Sequence, residues 1–352
     1  MQPDPQKLEE FMHKMVGDMG AAMSGSLVIT GTKLGLYKAL AEIGPATSGD
    51  LAKHLGLDER YVREWLSAQA ASGFVDYDST ASRFSLNAEQ RMALSNEESP
   101  VYVAPAFELI ASTYIDEPKI TDAFRTGKGV GWHEHHECLF RGCEKFFRPG
   151  YRANLVAGWI PALEGVFDKL KAGAKVADIG CGHGASTIIM AEAFPNSRFI
   201  GFDYHDKSID RAREAAKEAG DLQNISFEVS SAKEAPGKDF DLVSCFDCLH
   251  DMGDPVGASK HIHQMLKPDG TFMIVEPMAG DQLTENLNPV GRMYYSASTM
   301  ICTPGSKAQE VGLALGAQAG EARLGQVLRE AGFSTVRRAT DTPFNMVIEA
   351  KP

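Results

Sequence analysis

A chain of 352 residues, 43% hydrophobic and 23% charged, has room for two domains and a sizeable core, which excludes a disordered, collagen-like or disulfide-scaffolded protein. Lys and Arg number 35 against 47 Asp and Glu, and the formal charge of −12 argues against general affinity for nucleic acid or anionic membrane. Six unevenly spaced cysteines, no signal-like start and no apolar run of about 18 residues lead to the expectation of a reduced, cytoplasmic, small-molecule protein.

Residues 1–95 read as short helices followed by a hairpin. Leu36, Leu40 and Ile43 fall at helical spacing, Thr47 to Leu55 makes a second helix after Pro45, and the turn at Gly56 leads into a third. Asp58 caps that third helix, which sets Tyr61, Trp65 and Ala68 on one face and stops at Gly73. FVDYDSTASRFSL then alternates about a Ser/Thr-rich turn, as a wing does. This is the winged-helix order, and it raises the question of DNA. Nine basic and twelve acidic side chains leave residues 1–95 at −3, and the recognition helix sets Arg60 and Arg63 against Asp58, Glu59 and Glu64. Phosphates gain little from such a surface.

Residues 96–170 hold helical stretches rich in aromatic residues and read as a connector, with Phe146, Phe147 and Trp159 as packing residues. Trp132-His133-Glu134-His135-His136-Glu137-Cys138 is dense in ligand types yet lacks the H-E-x-x-H spacing. It is expected to be a half-exposed helix, with His133 and Glu137 on one face and no metal.

From Lys175 the texture changes. KVADIG, SRFIGFD, ISFEVS, FDLVSCFD and TFMIVEP alternate with helical segments, which predicts a parallel doubly wound sheet within residues 171–352. STVRRAT and FNMVIEAKP close it as two further strands. Residues 278–320 form an insertion whose Met278, Met293, Tyr294, Tyr295 and Met300 suit either a roof over an acceptor pocket or a subunit-contact arm.

The first strand of the sheet runs into Asp178-Ile179-Gly180-Cys181-Gly182-His183-Gly184-Ala185 and then a helix, a turn that brings backbone close to a ligand. Its G-x-G-x-x-A spacing fits a dinucleotide as well as other nucleosides. Asp178 would face an ammonium group comfortably and would repel a pyrophosphate. Asp203 ends the second strand, where a carboxylate accepts hydrogen bonds from both ribose hydroxyls. A ligand with a ribose, an amino-acid tail and a sulfonium explains both residues.

At these positions the chain resembles the class I methyltransferases that use S-adenosylmethionine. The resemblance spans residues 171–350 and rests on ADIGCGHG, FIGFDYHDKSI, FDLVSCFDCLHDMGDP and LKPDGTFMIVEP in that order. It implies a Rossmann-like, doubly wound, seven-stranded α/β sheet and S-adenosylmethionine as cofactor. It further implies that Gly180, Cys181 and Gly182 line the cofactor through their backbone, that Asp203 holds the ribose, that Tyr204 covers the adenine and that Phe246 flanks the site. Tyr151 and Arg152 sit where this class often closes over the cofactor's methionine end. The acidic residue that the family often has at the third strand's end is replaced by Ser230-Ser231-Ala232-Lys233, which leaves adenine recognition to Ser231 or the backbone of Ala232.

His250 lies beyond the fourth strand, at the edge where such sheets bind ligands, and an imidazole's ordinary pKa of about 6.5 suits a general base. His250-Asp251-Met252-Gly253-Asp254 is similar to the His-Asp-x-x-Asp segment of small-molecule O-methyltransferases. That likeness implies that His250 deprotonates an acceptor hydroxyl and that Glu276 holds the imidazole. It also implies that the winged helix dimerises, with MGAAMSGSLVITGTKLGLYKAL as a main interface helix. Tyr294 and Tyr295 are the candidate acceptor contacts. Cys245 and Cys248 form a C-x-x-C without a second pair, and His261 and His263 are expected to face solvent. Two other readings remain open: a transcriptional regulator sensing S-adenosylmethionine or a metabolite, and an NAD-dependent oxidoreductase.

Overall fold

Capping residues set many of the element boundaries in the computed structural model, which describes residues 2–220 and 222–352. The chain divides into two units, one formed by residues up to Tyr114 with Glu137–Pro149, the other by Ile115–His136 with Gly150–Pro352. Residues 96–170, which read from sequence as one connector, are shared between them.

In the first unit, helix Pro5–Lys33 starts where the Asp4 carboxylate accepts the Gln6 and Lys7 N–H groups, with Pro5 at the first helical position. The segment expected to be one long interface helix is two. Gly35 turns the chain with a φ of +69° before helix Leu36–Ile43. Helices Ser48–Leu55 and Glu59–Ala71 follow, capped by Thr47 and Asp58, and the wing is an antiparallel pair, β1 (Asp76–Asp78) and β2 (Arg83–Ser85). Leu36, Leu40, Leu51 and Leu66 fill the core under it. Gly31 lets the first helix approach: a Cβ there would stand 2.4 Å from the Trp65 ring, whose Nε1 donates to the Leu27 carbonyl at 2.8 Å.

The second unit holds a seven-stranded sheet of β3 (Lys175–Ile179), β4 (Arg198–Asp203), β5 (Ile225–Val229), β6 (Phe240–Phe246), β7 (Leu266–Pro277), β8 (Thr335–Asp341) and β9 (Asn345–Lys351). Their spatial order is β5-β4-β3-β6-β7-β9-β8, the first five parallel and β9 antiparallel to both its neighbours. β6 and β7 read as near-continuous apolar runs because most of their residues are buried on both faces. Strand order reverses between β3 and β6, which opens a crevice at their carboxyl ends. The insertion is built of helix Pro289–Ala297, a π-helical turn Ser298–Cys302 and helix Thr303–Lys307. Among the described residues no helix is long and apolar enough to cross a membrane.

Candidate active site

At the β3 end of the crevice the glycine loop is held by its own backbone. The Gly180 and Cys181 N–H groups both donate to the Phe202 carbonyl, at 2.8 and 3.0 Å, and the Gly182 N–H donates to Asp203 Oδ2 at 3.0 Å. Gly180 has a φ of +70° and leaves no room for a side chain, since a Cβ would lie 2.6 Å from Cys248 Sγ. Gly182, with a φ of +52°, meets nothing within 4 Å and marks the open side of the turn. Cys181 is buried, and burial pushes its thiol well above the ordinary range.

Asp178 does not stand where the sequence suggested. It is buried, and its oxygens accept hydrogen bonds from the hydroxyls of Ser186 (2.7 Å), Thr187 (2.6 Å) and Ser244 (3.0 Å). Burial pushes its carboxyl up to about 6, and the three hydroxyls pull the other way. It therefore ties β3 to the following helix and to β6.

Asp203 accepts the His205 N–H at 2.9 Å as well as that of Gly182, and burial still holds it above the usual carboxylate range. Tyr204, beside it, is 48% exposed. Ser231 donates to Glu234 at 3.0 Å, and Ala232 packs against the sheet's core. Phe246 is buried against the Tyr151 ring, centroids 5.3 Å apart.

At the β6–β7 end, a single 3-10 turn, Leu249–Asp251, carries His250 into the protein, where it is 4% exposed. Its Nδ1 is hydrogen-bonded to one oxygen of Glu276, itself 1% exposed, while the other oxygen accepts the Leu249 N–H at 2.9 Å. Nε2 lies 3.3 Å from Cys302 Sγ. Burial alone would lower the imidazole's pKa, but the Glu276 carboxylate, joined by Cys302, overcomes it and holds the group well above its ordinary value. Asp251 is pushed up to about 7 by burial, with His250 opposing. Asp254 caps helix Pro255–Met265 by accepting the Gly257 N–H at 2.8 Å.

The sequence reading passed over Asp247, Asn345 and Cys302. Asp247 sits in left-handed backbone, φ +50°, and accepts the Tyr151 hydroxyl at 2.7 Å and Asn345 Nδ2–H at 2.9 Å. Burial, then the Glu276 charge, push its carboxyl up to about 8. Tyr294 is buried and donates its hydroxyl to the Phe344 carbonyl at 2.9 Å, while Tyr295 is half-buried.

Residues 170–332 match the family described as a methyltransferase domain. The chain carries a methyltransferase domain. Residues 22–96 match the Rv2258c-like winged HTH domain. The chain is 34% identical over 135 residues to a ubiquinone biosynthesis O-methyltransferase of Pseudomonas aeruginosa, covering 37% of this chain and 54% of that protein. It is 32% identical over 131 residues to the 27-O-demethylrifamycin SV methyltransferase of Amycolatopsis mediterranei, covering 35% and 48%. The chain thus spans about half the length of these curated relatives. Human N-acetylserotonin methyltransferase, solved in complex with SAM, aligns with a TM-score of 0.69 at 16% identity over 100% of this chain and 99% of its own. At that identity the likeness shows the fold.

The methyltransferase domain's match takes in the glycine loop, Asp203, His250, Glu276 and Cys302, and leaves Tyr151 and Asn345 outside it. The histidine-rich segment is not the helix expected from its sequence. Trp132–Glu134 is a 3-10 turn and the next helix starts at Cys138, so His133 and Glu137 share no helical face. His135 is buried with Nδ1 3.1 Å from Asp116, and burial, opposed by Asp116, holds it below its ordinary value. Among the described residues no group of three or more His, Cys, Asp or Glu is arranged to hold a metal ion. The two thiols of the C-x-x-C, Cys245 and Cys248, lie 2.9 Å apart. His261 and His263 do not simply face solvent: His261 Nε2 meets the Ala235 carbonyl at 2.8 Å, and His263 stacks edge-on against Phe333 at 5.1 Å.

Proposed function

We propose that this chain is an S-adenosylmethionine-dependent enzyme that methylates a hydroxyl of a small-molecule acceptor, with His250 as general base. The observation that carries the reading is the buried His250–Glu276 pair at the carboxyl edge of the sheet. With Nδ1 bonded to the carboxylate, Nε2 is the nitrogen left to take a proton, and the Leu249 N–H keeps Glu276 in place.

The residues fit the cofactor. Gly182 offers an open approach, and Asp203 ends β4 beside the loop, where its carboxyl accepts the Gly182 N–H at 3.0 Å and can accept from ribose hydroxyls. When bound, S-adenosylmethionine supplies an electrophilic methyl group. The chain's part is to align the acceptor oxygen, worth about 7–11 kcal/mol in well-oriented reactions, and to remove its proton, worth about 10²–10⁴ in rate. Tyr295 and the insertion are the candidate acceptor contacts, whereas the Tyr294 hydroxyl is already engaged with Phe344.

The other readings find less support. A dinucleotide pyrophosphate needs loop N–H donors, and those of Gly180, Cys181 and Gly182 are bonded to Phe202 and Asp203. A DNA-reading helix needs unpaired cations, and Arg60 and Arg63 are paired with Glu64 and Glu59 at 2.5 Å. A second copy of the chain suits the first unit better, because helix Pro5–Lys33 leaves Leu8, Phe11, Met12, Val16, Met19 and Met23 exposed.

Titration calorimetry with S-adenosylhomocysteine tests the cofactor: saturable heat is expected, and no heat with the intact protein overturns the reading. A screen of hydroxylated metabolites with a radiolabelled methyl donor then identifies the acceptor.

A further inference from the structure

We infer that Cys302, His250 and Glu276 form a nucleophile–base–carboxylate triad, and that Cys302 is a covalent modification site for soft carbon electrophiles such as conjugated carbonyl compounds and alkyl halides. Sγ of Cys302 lies 3.3 Å from His250 Nε2, Nδ1 of the same ring is bonded to Glu276, and Glu276 is fixed by the Leu249 N–H. A nucleophile within hydrogen-bond reach of a base that a third group orients is the arrangement that activates a weak nucleophile.

Cys302 sits at an irregular point of the backbone, just before Pro304. It closes the π-helical turn Ser298–Cys302, a rare local form that recurs at functional sites. Two bonds pin that turn and the His250 strand end to one segment: the Ala317 N–H donates to Ser298 Oγ at 3.0 Å, and the Gly316 N–H to the His250 carbonyl at 3.2 Å. Residue exposure falls from Cys302 at 8% through His250 at 4% to Glu276 at 1%.

With an alkyl halide the step balances simply. The sulfur forms a bond to carbon, the carbon–halogen bond breaks and halide leaves with its electron pair, and the thiol proton passes to Nε2. The product carries its new group beside the nitrogen that methyl transfer requires as a base.

Iodoacetamide labelling of the full chain, followed by peptide mass mapping with time, tests the triad without a methyl donor or acceptor, so its outcome is separate from that of the cofactor titration. Cys302 is expected to react with iodoacetamide in the folded protein. His250→Gln is expected to slow it about 100-fold, while the half-buried Cys138 and Cys143 keep their rates. If that variant unfolds, which faster labelling of Cys138 and Cys143 would show, Glu276→Gln decides, with a slowing of about tenfold expected. A Cys302 that stays unlabelled in the native protein, or that reacts equally fast in the folded variants, overturns the proposal.

Discussion

Burial raises carboxylates at both ends of the crevice, but the two ends hold them by different means. At the β3–β4 end Asp178 accepts from the hydroxyls of Ser186, Thr187 and Ser244, and Asp203 from the N–H groups of Gly182 and His205, so neutral donors satisfy both. At the β6–β7 end Asp247, Asp251 and Glu276 crowd one another around His250, and burial pushes Asp247 and Asp251 up to about 8 and 7. On the proposed function, the first end holds the cofactor and the second, with its shifted groups, takes up the acceptor's proton.

Substitutions at the two ends should therefore separate binding from chemistry. The largest effect is expected for His250→Ala: a fall of about 10²–10⁴ in kcat with affinity for S-adenosylhomocysteine unchanged by calorimetry. Equal loss of binding and turnover would erase the division between the two ends. Asp203→Ala should do the reverse, weakening S-adenosylhomocysteine binding by about 1.5–3 kcal/mol, the range for hydrogen bonds to a charged group, read as Kd in the same titration.

Glu276→Gln sharpens the second end. The Glu276 charge is the leading influence that raises His250 against burial, so its removal lets burial lower the imidazole's pKa. Neutral imidazole, the form that accepts a proton, then persists to lower pH. The acid limb of the kcat/KM profile should move down in pH, while kcat drops about tenfold because the ring loses its orienting acceptor.

The smallest effect is on stability. Asp247 titrates near 4 when unfolded and at about 8 when folded, so between those values the folded state binds more protons and stability falls as pH rises. Asp247→Asn removes that slope and keeps a residue type that tolerates left-handed backbone. The ligand-free variant should melt about 2–4 °C higher than the parent at pH 8, with the gain shrinking toward pH 5. A gain that is the same at both pH values would assign the effect to packing.

What was legible in the sequence follows the same division. The loop from Asp178 to Ala185, the β4 end at Asp203 and the segment from His250 to Asp254 are each continuous in sequence, and each lies at the carboxyl end of a parallel strand. Glu276 was legible because it ends the strand beside that of His250. Cys302 was not: it reaches the imidazole across 52 residues through a π-helical turn that no periodicity announces. Asn345 reaches Asp247 across 98 residues in the same way. Asp178 was visible, but its bonds to Ser186, Thr187 and Ser244 were not, because they come from the start of the next helix and from β6. The broken helix at Gly35 shows that an apolar run spanning a glycine need not be one element. His263 shows that a polar ring can pack by its edge, here against Phe333.

The place of β9 bears on how the sheet is made. β9 lies between β7 and β8, although both precede it in the chain. A nascent chain leaving the ribosome therefore carries β7 with one bare edge until residues 345–351 emerge and insert. The same insertion delivers Asn345 to Asp247, so closure of the sheet and completion of the site are one event in synthesis. Until then the partly made protein offers an open strand edge to any neighbour, and a chaperone that shields extended edges has its natural moment there.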